Sequence, residues 1–256
     1  MACRYIHYLF RAKTKHGVHS PFVFNLLKNV INDKKFYSAY EPVEKLRSEL
    51  LNERSEIKVN DFGAGSAVFK NSFRKIKDIA KYSLKSAKYG QLIFRLVNYF
   101  QPSTILELGT SLGVTTLYLA IHTNRPNVLS MEGSEVLALK AMENFEKLNI
   151  SNIEVVTGNF DDMLAPQLKK LKGVDFVFVD GNHRKEPTLR YFEECLQYSD
   201  TNSIFVLDDI HWSDEMEGAW EFIKNHERVT VTVDLFFLGL VFFRKEQAKQ
   251  NFVLMY

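Results

Sequence analysis

The stretch ILELGTSLGV, residues 105–114, runs from a short aliphatic segment into a glycine turn and on into VTTLYLAIHT, which reads as a helix. In an open parallel sheet, ligands sit beyond the C-terminal ends of the strands. A strand ending in Gly109-Thr110-Ser111-Leu112-Gly113 is therefore a candidate cofactor turn. Gly109 tolerates a positive φ and lets the backbone turn tightly against a ligand. Gly113 opens the following helix, whose free N–H groups favour a carboxylate. Glu107, just before the turn, is an acceptor for an ammonium group. An amino acid moiety supplies both partners.

Downstream, the same rhythm repeats. After TILEL (104–108) come NVLSM (127–131) with a helix from about Ser134, IEVVT (153–157) with a short helix at 161–170, VDFVFV (174–179) with a helix at 186–198, and SIFVLD (203–208) with a helix at 213–226. Strands alternating with helices predict a parallel sheet covered by helices. The runs VTVTVDLFF (229–237) and LVFFRK (240–245) are separated by only Leu238-Gly239, and they predict a closing β-hairpin. The expected fold is α/β: a Rossmann-like, seven-stranded, mostly parallel sheet with an antiparallel C-terminal hairpin.

Upstream, the first hundred residues read mostly as helices. Ser20-Pro21 has the form of an N-cap followed by proline at the first helical position. A second helix is expected from Pro42 to Leu51, and a third over 86–100, where Leu92, Ile93, Leu96, Val97 and Phe100 share one face. The expected organisation is a helical extension over 1–85, capping the substrate, and a cofactor domain over 86–256.

The second strand ends in Ser130-Met131-Glu132-Gly133. An acid there suits a ribose diol, because a carboxylate accepts both hydroxyl protons. The third ends in Gly158-Asn159-Phe160-Asp161, where Asn159 or Asp161 suits an adenine amino group and Phe160 suits stacking on the ring. Two other readings of the turn are weaker. G-x-S-x-G is also a hydrolase nucleophile elbow, with Asp208 or Asp209 and then His211 or His226 completing the order. Such an elbow normally follows several strands, whereas the upstream residues here read as helical. A dinucleotide loop needs a glycine where Ser111 stands. A further glycine-rich stretch, NDFGAGS (60–66), imitates the first motif. The IKV before it makes a poor strand, so it is read as a turn.

With these motifs in order, residues 103–245 resemble the class I S-adenosylmethionine (SAM)-dependent methyltransferases. ELGTSLG resembles their first motif and MEGS their acidic second-strand turn. VDFVFVDGNH and SIFVLDDIHW resemble the catechol O-methyltransferase-like branch and related sugar O-methyltransferases. The resemblance implies SAM held by Glu107, Gly109, Thr110, Ser111, Gly113, Glu132, Gly133, Asn159, Phe160, Asp161 and Asp180. It also implies Mg²⁺ or another divalent cation on Asp180, Asp208 and Asp209, which end the fourth and fifth strands. The branch often has Asp-Asn where this chain has Asp208-Asp209, a departure that fits the sugar enzymes better. The alternative is that Asp180 or Asp208 caps the following loop and touches only the cofactor. His183 and His211 follow these acids and are candidate general bases alongside Asp180. Trp212 is a candidate wall of the acceptor pocket. His7, His16 and His19 are weaker candidates for a substrate lid.

The expected reaction is transfer of a methyl group to a hydroxylated small molecule. The alternatives are an RNA or protein methyltransferase docking through the basic N-terminal region, and a non-catalytic cofactor-binding protein. Residues 1–100 hold 19 Lys and Arg against 8 Asp and Glu, a net charge of +11, and the remainder holds 14 against 23, a net −9. That split fits mutual attraction or solvated helix faces, and it also fits an anionic acceptor. No apolar run approaches the ~20 residues of a membrane span. Cys3 and Cys195, without C-x-x-C spacing, suit a reducing cytoplasm. A homodimer is compatible with all of this, and nucleic acid is a less favoured partner.

Overall fold

A computed structural model describes residues 1–14, 17–59 and 72–256. The stretch NDFGAGS and His16 lie outside the described residues. The chain forms two compact units, one of Met1–Asp33 with Gln167–Tyr256 and one of Lys34–Pro166. This division by compactness differs from the boundary near residue 85 read from the sequence.

The first unit begins with helix α1 (Ala2–Arg11) and helix α2 (Pro21–Leu26), which continues into a π-helical turn over Leu27–Ile31. Ser20 caps α2 as its position before proline predicts: its Oγ accepts the Val23 N–H at 3.4 Å.

The unit Lys34–Pro166 starts with helix α3 (Tyr40–Asn52), strand β1 (Glu56–Lys58), strand β2 (Phe73–Lys75), helix α4 (Ile76–Ser83) and helix α5 (Ala87–Phe100). The β1–β2 pair is antiparallel, with Ile57 opposite Arg74. It corrects the reading of IKV as a poor strand. Three residues with two charges carry no local strand signal, and only the partner makes the ladder. Next come strand β3 (Thr104–Leu108), helix α6 (Val114–Ala120), strand β4 (Asn127–Glu132), helix α7 (Glu135–Lys147) and strand β5 (Ile153–Thr157), followed by helix α8 (Phe160–Leu171), which runs past the end of the unit. Strands β3, β4 and β5 are parallel, with Leu108 opposite Met131 and Glu132 opposite Thr157. The core of this unit joins Val43, Leu46 and Leu50 of α3, Phe94 of α5, Leu117 and Tyr118 of α6, and Ala141 and Phe145 of α7. The spacing of these side chains gives each helix one apolar face, and burying it is the main source of stability.

The first unit resumes with strand β6 (Phe176–Val179), helix α9 (Lys185–Leu196), strand β7 (Ile204–Asp208), helix α10 (Asp214–Asn225), and strands β8 (Val231–Asp234), β9 (Leu238–Phe242) and β10 (Gln250–Val253). β6 and β7 are parallel, and every residue of both strands is buried, which explains their unbroken apolar sequences. β8 and β9 form the expected hairpin, but its turn lies at 235–237, and Leu238 and Gly239, expected between the runs, belong to β9, which also pairs antiparallel with β7. The strand order is β10-β8-β9-β7-β6 in the first unit and β3-β4-β5 in the second. These are eight strands, not the expected seven. The extra strand, QNFV, pairs parallel with β8 and has two exposed polar residues, so its sequence lacks the apolar run of its neighbours.

Candidate functional site

The turn after β3 has the backbone its sequence demands. Gly109 has φ 109°, Ser111 φ 50° and Gly113 φ 80°. A Cβ on Gly113 would lie 2.4 Å from the Phe145 ring, so glycine is required there both by conformation and by space. The Gly109 N–H donates to the Met131 carbonyl at 2.9 Å, which ties the turn to β4. Glu132, at the end of β4, closes the arrangement. Its Oε2 accepts the Ser111 N–H at 2.7 Å and its Oε1 accepts the Ser134 N–H at 2.9 Å. The Glu132 carbonyl accepts the Gly158 N–H at 2.9 Å. Three successive strand ends are thus joined through one half-buried residue. Both Glu132 oxygens are thus held in place at the end of β4.

Glu107 is fully buried. Its Oε2 accepts from Thr116 Oγ1 and Ser130 Oγ, both at 2.5 Å, and Ser130 Oγ lies 2.5 Å from Thr110 Oγ1. The structure therefore places Glu107 in an internal network that braces β3, β4 and α6. The sequence reading missed Ser130 and Thr116. A serine inside the apolar NVLSM was the available signal. Asn159 Oδ1 accepts the Asp161 N–H at 3.2 Å, and the Asn159 carbonyl accepts the Asp162 and Met163 N–H groups. Asn159 thus caps the start of α8, while Phe160 is half-buried and Asp161 exposed.

In the other unit, Val179 of β6 pairs with Leu207 of β7, so Asp180 and Asp208 follow at the same level. Ligand atoms of Asp180, His183 and Asp208 all lie within 4.8 Å of one another. His183 Nε2 is 3.6 Å from Asp180 Oδ1. Asp208 is fully buried, and the other two are partly open to solvent. Asn182 (φ 66°) and His183 (φ 31°) are both left-handed, and this turn brings His183 back toward Asp180. Asn182 Nδ2 donates to the Tyr191 hydroxyl at 3.2 Å.

Asp209 does not join this group. Its φ is 52°, its N–H donates to the Phe237 carbonyl at 2.7 Å and its carbonyl accepts the Trp212 N–H at 2.9 Å. Two of the three expected ligands, Asp180 and Asp208, thus lie together, and His183 lies with them.

His211 is also placed differently from its expected role. Nδ1 lies 2.9 Å from Glu217 Oε1, Nε2 lies 2.9 Å from Asp234 Oδ2, and the ring stacks on Phe236. Burial opposes a charge on the ring, but Asp234 and then Glu217 outweigh it and hold the pKa above the usual histidine value. Both ring nitrogens are thus engaged by carboxylates, an arrangement that favours the doubly protonated ring. Arg4 of α1 pairs with Asp214 and with Glu217 at 3.3 Å, which extends this network. Trp212 is half exposed, and His7 and His19 are exposed.

Residues 106–210 match the family model described as a methyltransferase domain. The chain is 27% identical over 128 residues to a catechol O-methyltransferase from Niastella koreensis, covering 49% of this chain and 57% of that protein. The chain thus spans less than two thirds of the length of that relative. Among solved structures it is similar to the O-methyltransferase from Bacillus cereus in complex with S-adenosylhomocysteine (SAH), with 22% identity, a TM-score of 0.56, and 86% of this chain and 97% of that one covered. It is also similar to the O-methyltransferase TomG from Streptomyces achromogenes, involved in tomaymycin synthesis and solved with SAM, with 18% identity, a TM-score of 0.57, and coverage of 87% and 95%. The fold is the mixed α/β fold of the class I methyltransferases.

Proposed function

We propose that this chain is a SAM-dependent O-methyltransferase acting on a hydroxylated small molecule. The observation that carries the proposal is Glu132, a half-buried carboxylate held by the N–H groups of Ser111 and Ser134 at the end of β4. The methyltransferase-domain match over 106–210 and the likeness to a catechol O-methyltransferase support it. In this reading the Glu132 oxygens accept the ribose hydroxyl protons, and the Gly109–Gly113 turn receives the amino acid moiety. Gly133 lies against the ribose, and Phe160 covers the adenine. Bound SAM supplies a methyl group already activated by its sulfonium.

The acceptor hydroxyl must lose its proton as it attacks. Asp180, His183 and Asp208 are the groups in reach of one another for that task. Two carboxylates and an imidazole are a donor set that fits a divalent cation. Such a cation lowers the pKa of a coordinated hydroxyl. The close pair His183 and Asp180 favours a second reading of the same cluster. There the His183 ring nitrogen turned away from Asp180 takes the proton directly, and the Asp180 carboxylate, 3.6 Å from Nε2, orients the ring.

Calorimetric titration with SAH, followed by assay of labelled methyl transfer to a panel of catechols and sugars, tests the proposal. Saturable SAH binding with transfer to a hydroxyl is expected. Absence of SAH binding at millimolar concentration would sink it. Loss of activity with EDTA and recovery with Mg²⁺ or Mn²⁺ selects the metal reading, and indifference to EDTA selects the His183 base. The reading places the protein in the cytoplasm. Among the described residues, no helix is long and apolar enough to cross a membrane.

A further inference from the structure

The loop from β6 to α9 is short and has a costly backbone. Asp180 follows β6, α9 begins at Lys185, and between them Asn182 has φ 66° and His183 φ 31°. Neither is glycine, and a left-handed backbone is unfavourable for a residue with a Cβ. Asparagine and histidine enter this region more readily than most, but two in succession persist only where the surroundings hold them. The turn they make brings His183 Nε2 to 3.6 Å from Asp180 Oδ1, with Asp208 beside both. Relaxation of either residue to a right-handed or extended backbone would redirect the imidazole.

Two contacts tie this loop to the helices beside it. The Lys185 N–H donates to Glu215 Oε2 of α10 at 3.1 Å, on the surface. Asn182 Nδ2 donates to the Tyr191 hydroxyl at 3.2 Å. The second anchor is the firmer one. Tyr191 is 1% exposed, on the face of α9 that also buries Thr188, Phe192, Cys195 and Leu196. Phe192 meets Phe205 of β7 edge-on with centroids 5.7 Å apart, so α9 is packed on the strand that ends in Asp208. The phenol is thus fixed to the same frame as the carboxylates. A phenylalanine ring would fill the same core space. A buried hydroxyl is tolerated only when it is hydrogen-bonded, so what tyrosine adds over phenylalanine is a polar handle for Asn182.

We infer that Tyr191 is a positioning residue: through Asn182 it holds the left-handed turn that aims His183 at Asp180 and Asp208. The inference rests on the proposed role of that cluster and holds for either reading of it, since a metal ligand and a base alike need a fixed imidazole. Tyr191→Phe deletes the hydroxyl and keeps the ring. Asn182→Gly deletes the donor and keeps access to the left-handed backbone. In nitrogen-correlated proton NMR spectra of the imidazoles, the His183 signals are those absent from His183→Ala. Each variant should shift or broaden them, while the signals of His122, in the other unit, stay in place. The double variant Asn182→Gly/Tyr191→Phe should do no more than either alone. In the transfer assay, kcat should fall about threefold to tenfold, the loss of one hydrogen bond, with acceptor KM and SAH affinity unchanged. Added to His183→Ala, Tyr191→Phe should cost no further activity. The inference is overturned if Tyr191→Phe leaves the His183 signals where they were, or if it slows His183→Ala as much as it slows the parent enzyme. A protein that shows the spectral shifts but binds no SAH keeps this placement of His183 and loses the proposed function.

Discussion

Glu132 Oε2 accepts the Ser111 backbone N–H at 2.7 Å, so the acid at the end of β4 fixes the glycine turn at the end of β3. One side chain therefore both shapes the turn and presents acceptors beside it. Glu132→Gln keeps one acceptor oxygen but loses the charge, and Glu132→Ala loses both. A hydrogen bond to a charged group contributes about 1.5–3 kcal/mol. SAH affinity should fall roughly tenfold or more in Glu132→Gln and further in Glu132→Ala, as read by calorimetry. Unchanged affinity in both would remove Glu132 from the cofactor site.

Gly113 combines a φ of 80° with a space already filled by Phe145. Gly113→Ala meets strain from the left-handed backbone and from overpacking. Each is an effect of about 1–3 kcal/mol. The variant should unfold at clearly lower urea concentration, with a loss of about 2–4 kcal/mol. The double variant Gly113→Ala/Phe145→Ala should relieve the clash but not the backbone strain.

Asp208→Asn and His183→Ala should each lower the turnover number about a hundredfold or more if the cluster handles the acceptor proton, with SAH affinity little changed. Asp209→Asn, outside the cluster, should retain most activity. If Asp209→Asn were as damaging as Asp208→Asn, the assignment of ligands would revert to the acidic pair.

Two histidines should make stability depend on pH in opposite directions. The His211 pKa is raised in the folded state, so its contribution is complete below the ordinary pKa near 6.5 and is lost as pH rises through the folded value. His122 is buried and stacked on Phe94 with centroids 4.4 Å apart, and burial depresses its pKa to about 4. That contribution is present above about 6.5 and is lost as pH falls toward 4. Urea titrations across pH 4–9 should show His211→Gln flattening the alkaline limb and His122→Phe the acid limb. Exchanged effects would refute the assignment.

The strand-helix alternation from residue 103 was legible because β3, β6 and β7 are buried runs that the sequence spells continuously. The glycine turn and Glu132 were legible because backbone conformation and strand-end position restrict residue type. Strands β1 and β10 were not, since EIK and QNFV depend on partners distant in sequence. His211 misled for the same reason. Asp-Ile-His reads as an acid beside a base, yet the groups that engage the ring are Glu217 and Asp234, six and 23 residues farther on. The left-handed backbone at Asp209, Asn182 and His183 was not legible either, since none of these residues is a glycine.

The N-terminal helix finds its partners at the opposite end of the chain: Tyr8 accepts the Tyr256 N–H at 3.2 Å, and Lys13 exchanges hydrogen bonds with Val253 and Met255. During synthesis, residues 34–166 leave the ribosome as a continuous unit with its own core, while residues 1–33 wait for strands not yet made. Tyr5, Ile6, Tyr8, Leu9 and Phe10 of α1 would meet chaperones throughout that interval. A stalled chain ending near residue 230 should therefore protect residues 34–166 from protease and leave α1 open to cleavage.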